Sequence, residues 1–488
     1  MTLTQHKKEV SEQPSHHRGY FFHHHDRKLK SKLRPWVILG CFALFAVLVL
    51  MPAPAGLSEQ GMDAIAIFVL CLLFWVSNAV PLMVTSLLAI ILLPLLGVMD
   101  SKSAYALFGN QAVFFILGAF ILASAVMQSG LSTRIALKVL TWFQKSHVIL
   151  LIGMLVLPAA LSYVMSEHAV AAMMFPIVVE IAESLRLKKG HAFAAALFLA
   201  MAWGSIIGGV GTFLGGARAV LAVGILEEST GQTITFIEWL VAALPLVLSM
   251  LVVAAVVLLW LTRDSSVAVE AAAKHLEKRA KALGRISTRE KSMAVLMIIT
   301  ILLWMFAGHE LGLANIALGA VVVAFIFKLL SWKQVEHDVN WGIILMYGGA
   351  IALGFALSET GAAYWVAQQL LSSWTLAAFA LLAVLSVIVK IFTETMSNTA
   401  VVALLMPLAL GVAVQYGIDP RVSTMALAIP SGLAFMLPMS TPAVAIALSS
   451  GYVSTKQTIQ TGLVLHLASA AIFLVIMKWY WPLIGFAV

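Results

Sequence analysis

Apolar runs of about 20 residues or more follow one another along almost the whole chain, and this feature decides the fold class before any other. A helix of ~20 apolar residues covers the ~30 Å hydrocarbon core of a bilayer. Lipid offers backbone amides no hydrogen-bond partner, so a spanning segment is either a helix or a strand of a closed barrel. Barrel strands alternate apolar and polar positions over about 10 residues. These runs do not alternate, and they read as helices. Composition agrees: 61% of residues are apolar, 11% are charged and the mean hydropathy is +1.00. A globular domain carries about 25% charged residues, so a water-soluble surface cannot be assembled from this supply.

The runs fall at about 36–55, 61–77, 79–98, 108–129, 147–184, 192–225, 232–262, 292–308, 311–330, 341–365, 374–416, 421–455 and 459–487. Two of them, 147–184 and 374–416, are too long for one span, and each is interrupted by a polar cluster, Ser166-Glu167-His168 and Ser397-Asn398-Thr399. Each reads as a re-entrant hairpin of two half-length helices, because irregular backbone at membrane depth survives only when it is buried in protein or lines a cavity. The run 192–225 is broken by Gly208, Gly209, Gly211, Gly215 and Gly216. The run 421–455 is broken around Ser440 and Thr441, flanked by Pro438 and Pro442. The expected architecture is all-α and integral to the membrane, with about 11 transmembrane helices and two re-entrant hairpins.

A cytoplasmic N-terminus places 25 of the 30 Lys and Arg residues on the cytoplasmic side, as the positive-inside rule requires. Residues 1–35 form a basic cytoplasmic tail with scattered histidines (His6, His16, His17 and His23 to His25) and no signal-peptide pattern. Residues 36–60 hold the first transmembrane helix, 61–262 a first repeat, 263–291 a basic cytoplasmic linker and 292–488 a second repeat. The net charge of +8 sits in the tail and the cytoplasmic loops, which points to a bilayer and not to nucleic acid. Cys41 and Cys71 both lie inside apolar runs and suggest no disulfide framework. A multi-pass protein of a bacterial inner membrane is the expectation.

The repeat rests on a motif. Met165-Ser-Glu-His-Ala-Val-Ala-Ala-Met-Met-Phe-Pro-Ile177 aligns with Met396-Ser-Asn-Thr-Ala-Val-Val-Ala-Leu-Leu-Met-Pro-Leu408 at an offset of 231 residues, which also pairs Gly118 with Gly349 and Gly130 with Gly361. Five spans in each unit, an odd number, would invert the second unit relative to the first. Transporter folds with inverted repeats bind their ligands near the midplane at discontinuous helices.

Hydroxyls, an amide oxygen and freed carbonyls at Thr393 to Thr399 make a hard oxygen cage suited to sodium, and exposed amides with Thr399 suit an anion. The bland alternative is that these hydroxyls only back-bond to helix carbonyls. At the first tip Ser162 and Ser166 keep the four-residue spacing, but Glu167 and His168 stand where the second tip has Asn and Thr. An ionisable residue at membrane depth marks a functional site and needs a neighbour of opposite charge. Arg218 is the candidate. It would either pair with Glu167 as a tethered cation in place of a bound ion, or meet a substrate anion directly while Glu167 or His168 handles a proton; a purely structural pair is the third option. Lys390 and Glu394, four apart, are expected to pair with each other. His147, His191 and His309 lie near membrane edges and need no special role.

The chain resembles the divalent anion:sodium symporters, which carry dicarboxylates, citrate and sulfate. Ser397-Asn398-Thr399, followed by Ala400 and Pro407, matches the family's hairpin-tip motif. Phe435-Met-Leu-Pro-Met-Ser-Thr-Pro442 looks like its second broken-helix signature. The resemblance covers the chain beyond residue 35. It implies a homodimer whose transport domains slide against a scaffold in an elevator motion. It also implies one sodium at Thr393, Ser397, Asn398 and carbonyls near Ser440, a first sodium site at Ser162, Ser166 and Gly211, and an anion at the tips with Arg218 and Thr441. The departures are the Ser-Glu-His tip, Gly215-Gly-Ala-Arg218 where the family shows Gly-Thr and then Pro-Asn, and Ala219 and Val444 at the usual Asn positions. The leading expectation is sodium-coupled transport of a C4-dicarboxylate, with sulfate next. Proton coupling or exchange through Glu167, His168 and Arg218 is the alternative. An intramembrane enzyme is set aside: there is no His-Glu-x-x-His and no aspartate pair within spans, and Ser166 and His168 do not face each other on a helix.

Overall fold

The computed structural model describes residues 33–486 apart from 78, 266 and 372–376. The histidine-rich tail lies outside the described residues. Among those described there is no strand, and the chain runs as helices α1 to α23. Helix α1 (Arg34–Leu50) precedes a first unit of α2 (Glu59–Ser77), α3 (Leu82–Leu95), α4 (Ser101–Ala106), α5 (Gln111–Ser129), α6 (Leu131–Leu140), α7 (His147–Leu161), α8 (Glu167–Ser184), α9 (Ala192–Gly209), α10 (Ala217–Thr230) and α11 (Phe236–Leu261). The linker carries α12 (Glu270–Ala282). The second unit holds α13 (Thr288–Phe306), α14 (Gly308–Leu311), α15 (Leu313–Ile326), α16 (Trp332–Asp338), α17 (Trp341–Glu359), α18 (Ala362–Leu371), α19 (Ala378–Thr395), α20 (Asn398–Tyr416), α21 (Pro420–Ser431), α22 (Pro442–Ser449) and α23 (Thr455–Val475).

The two units repeat element by element. Helix α15 begins and ends 231 residues after α3, and α18 does so after α6. Helix α20 starts at the same offset from α8. The units are also interlocked, since α3 packs on α17 and α5 packs on α15. A Cβ built at Gly118 of α5 would stand 2.7 Å from the Ala317 Cβ on α15, and one at Gly349 of α17 would stand 2.5 Å from the Ser86 Cβ on α3. Small residues let helix backbones approach this closely, which supplies the packing energy that lipid cannot. One of the two glycine pairs that align the repeats in sequence, Gly118 and Gly349, is thus a point where the two repeats touch.

Among the described residues, eight helical segments are long and apolar enough to cross a membrane, α19 and α20 among them. At 18 and 19 residues these hairpin arms are longer than the half-spans expected from sequence. The apolar run continues to the base of each arm, interrupted in α19 by Ser386, by Lys390 and by Thr393 to Thr395 near the tip.

The linker is docked against the first unit. Glu180 on α8 bonds His275 Nε2 at 3.1 Å and the Arg279 guanidinium, both on α12. Arg134 on α6 bonds Glu290 at 2.6 Å and the carbonyls of Leu283 and Gly284. Most of the linker's folded part is therefore held by specific ion pairs to the first hairpin and its neighbour.

Candidate binding site at the two hairpin tips

Each hairpin breaks where the polar clusters predict. The break between α7 and α8 covers residues 162–166, and that between α19 and α20 covers Met396 and Ser397. Ser166 caps α8, its hydroxyl accepting from Ala169 N at 3.3 Å. Capping satisfies an amide that the first helical turn leaves without a partner. Helices α9 and α10 are separated by residues 210–216, and α21 and α22 by residues 432–441. Thr441 caps α22 through Val444 N. Every unit thus presents a hairpin tip beside a broken helix, and the second halves exchange: α10 packs on α20 and α21, while α22 packs on α8 and α9. This exchange carries the two tips to one place.

At the first tip the Glu167 amide donates to Gly215 O at 2.9 Å, pinning the hairpin to the break between α9 and α10. The Glu167 carboxylate lies over Gly209, where a Cβ would meet Oε2 at 2.6 Å. Thr212 donates its hydroxyl to Tyr163 O at 2.9 Å. Arg218 Nη1 donates to Glu167 Oε2 at 3.2 Å, with Arg218 3% and Glu167 1% exposed. The structure joins the two side chains, as both the tethered-cation reading and the purely structural reading require. Two buried oxygens at this tip, Ser162 Oγ and Glu167 Oε1, make no hydrogen bond; His168 Nδ1 lies 3.7 Å from the latter. Gly211 is buried against the Tyr163 ring.

The guanidinium continues into the second unit, packing so closely on Gly432 that a Cβ there would occupy its place. The neighbouring carbonyl, Ser431 O, accepts from Thr393 Oγ1 at 2.5 Å, and Thr393 Oγ1 also lies 2.5 Å from Asn398 Oδ1. A continuous path therefore runs from Glu167 through Arg218 and the end of α21 to Thr393 and Asn398. Ser166, His168, Ser397 and Thr399 are half-buried around it. Ser440 donates its hydroxyl to Leu437 O at 2.6 Å, and the carbonyl that accepts from Thr393 is that of Ser431.

The expected pairing of Lys390 with Glu394 does not form: among the described residues no ion pair joins them. Lys390 Nζ donates to Leu433 O at 3.0 Å. Glu394 accepts from the amides of Phe435, Met436 and Leu437 at 2.9, 3.1 and 3.4 Å, and His466 Nδ1 of α23 lies 3.1 Å from its Oε1. All three side chains are buried. Together with Thr393 they hold the second break residue by residue along one face of α19. Sequence reasoning passed over Lys390, Glu394 and His466 as site residues, although the rule that flagged Glu167, an ionisable group inside an apolar run, applies to each.

Residues 32–487 match the sodium:sulfate symporter transmembrane region. A sodium-dependent dicarboxylate transporter, SdcS, of Staphylococcus saprophyticus is 28% identical over 473 residues, covering 91% of each chain. The protein of the same name from Staphylococcus aureus is 27% identical over 475 residues, covering 92% of this chain and 91% of its own. Among solved structures, the Alcanivorax borkumensis YdaH transporter superposes with a TM-score of 0.56 at 15% identity, over 93% of this chain and 99% of its own. Neisseria gonorrhoeae MtrF does so with a TM-score of 0.53 at 14% identity, over 91% and 94%. At such identities the likeness concerns the fold alone. The family match over nearly the whole described length decides the assignment: this chain is a membrane transporter, not an enzyme, and belongs to the sodium:sulfate symporter family.

Proposed function

We propose that the protein carries a small divalent anion across the membrane, a C4-dicarboxylate first and sulfate next, coupled to sodium. One observation carries this reading: the exchanged helices α10 and α22 bring both polar hairpin tips to a single buried cluster. The relatives whose names specify sodium-dependent dicarboxylate transport support the substrate class.

The residues at the second tip suit sodium. Thr393 Oγ1 stands 2.5 Å from two acceptor oxygens, Asn398 Oδ1 and Ser431 O. One hydroxyl proton cannot serve both, whereas a small cation can bridge all three. Ser397 lies beside this trio at the start of α20. The anion would meet Ser166, His168, Ser397 and Thr399, which lie at the N-termini of α8 and α20, where helix dipoles favour negative charge. The protein would work as a homodimer in a bacterial inner membrane, with its N-terminus cytoplasmic and its transport domain sliding as an elevator. The first and second repeats, 61–262 and 292–488, would be inverted with respect to each other.

At the first tip Arg218 and Glu167 form a pair, which favours a variant of this reading. The guanidinium acts there as the protein's own cation, so fewer sodium ions move with each anion. The test is uptake of labelled succinate and labelled sulfate into proteoliposomes under imposed sodium or proton gradients. Sodium-driven uptake with a Hill coefficient near one is expected; uptake that follows pH and ignores sodium would favour proton coupling or exchange. In the same assay Asn398→Ala, which removes one of the three oxygens, should raise the sodium concentration for half-maximal uptake by about tenfold, the effect of losing roughly 1.4 kcal/mol of ion binding. An unchanged sodium response would remove Asn398 from the site.

A further inference from the structure

We propose that Lys390 is a tethered cation at the second tip, occupying the carbonyl end of α21 and setting how tightly that tip binds sodium. The inference rests on the sodium-coupled reading above and adds a residue which that reading does not use.

Lys390 is 1% exposed, on an otherwise apolar stretch of α19. A buried ammonium costs several kcal/mol or more in a membrane protein, and it persists only where fixed negative charge or dipoles receive it. Its ammonium donates to Leu433 O, two residues past the carbonyl that Thr393 holds. Ser431 is the last residue of the 12-residue helix α21 and Leu433 lies just beyond its cap, at the end where terminal carbonyls have no partner within the helix and the helix dipole is negative. Sodium at Thr393, Asn398 and Ser431 O would draw on that same end. Gly432, between the two carbonyls, is covered by the Arg218 guanidinium. The end of α21 is therefore ringed by two protein cations.

Among the described residues no ion pair joins Glu394 to Lys390, so the carboxylate acts on the ammonium only through space. Its carboxylate is turned to three backbone amides and to His466. The first tip has no such lysine, because the residue 231 positions earlier is Ala159, which packs on Gly208. The asymmetry is chemical: the first break is held by backbone and an ion pair, the second by Thr393, Glu394 and an ammonium placed on the Leu433 carbonyl. A positive charge so placed weakens sodium by repulsion and by competing for the same dipole.

The experiment compares Lys390→Met, which keeps the length and removes the charge, with Lys390→Arg, which keeps the charge. The sodium concentration for half-maximal succinate uptake should fall on the order of tenfold in Lys390→Met, a shift of about 1.4 kcal/mol, and stay within about twofold of wild type in Lys390→Arg. A second readout, the sodium-dependent rise in melting temperature of purified protein in detergent against choline, does not require transport. It should appear at correspondingly lower sodium in Lys390→Met. Equal sodium response in Lys390→Met and wild type, or equal shifts in both variants, overturns the proposal. If wild type ignores sodium while Lys390→Met gains a response, the sodium reading of the native protein fails and the tethered cation stands. If neither responds, both fall.

Discussion

Arg218→Ala is expected to abolish uptake and to strip the protein of most of its stability, while the double variant Arg218→Met with Glu167→Gln regains most of the stability. Removing one member of a buried ion pair leaves the other charge without compensation, which costs about 3–5 kcal/mol, whereas replacing both members by neutral groups of similar size is often neutral. Glu167 is 1% exposed and bonds Arg218 at 3.2 Å, so the single variant strands a carboxylate inside the protein. The guanidinium also fills the space over Gly432, and alanine would leave that space open beside the second tip. Thermal unfolding in detergent and uptake in proteoliposomes, measured on both singles and the double, give the coupling between the two residues. Additive losses in the double variant would show that the pair is not a unit. The double should also differ from wild type in its sodium response, because the cation at the first tip is then missing.

The second large effect is steric. Gly208 on α9 lies so close to α7 that an added Cβ would stand 2.5 Å from the Ala159 Cα and 2.6 Å from its carbonyl carbon. Backbone cannot yield as a flexible side chain can. Gly208→Val should therefore exceed the usual 1–3 kcal/mol cost of overpacking, with loss of monodisperse protein in detergent. Any protein that still folds should transport poorly, since Ser162 sits at the first tip one turn beyond Ala159. Gly319→Val is the control: nothing lies within 4 Å of a Cβ at Gly319, and that variant should match wild type in size-exclusion profile and uptake. Equal behaviour of the two variants would refute the close contact.

Much of the fold can be read from residues alone, because hydropathy is local. Each hairpin break ends on the first residue of its polar cluster, Ser166 or Ser397, and the 231-residue offset found from one motif and two glycine pairs recurs in the bounds of α3 and α15 and of α6 and α18. Length of the hairpin arms was less legible, since an apolar run does not say how far its helix projects. The Glu167–Arg218 contact could be anticipated because an intramembrane charge needs a neighbour. Which of two arrangements it adopts could not, since that depends on where α10 lands against α8. Lys390, Glu394 and His466 show the opposite failure. A four-residue spacing suggested a pair on one helix, yet tertiary structure offered each side chain a better acceptor or donor in the break of a neighbouring helix. His466 lies 72 positions from Glu394 in sequence, and no local pattern connects them.

The interlocking of the two units has a consequence for how the molecule is made. Helices α3 and α5 find their close neighbours on α17 and α15, and α10 settles against α20 and α21, none of which exists while the ribosome is still completing the first half. The nascent chain must therefore enter the bilayer with glycine-lined grooves open to lipid and with Arg218 not yet enclosed, and it closes them only when the C-terminal half arrives. Assembly order, more than any single helix, governs whether this chain matures or is discarded by quality control.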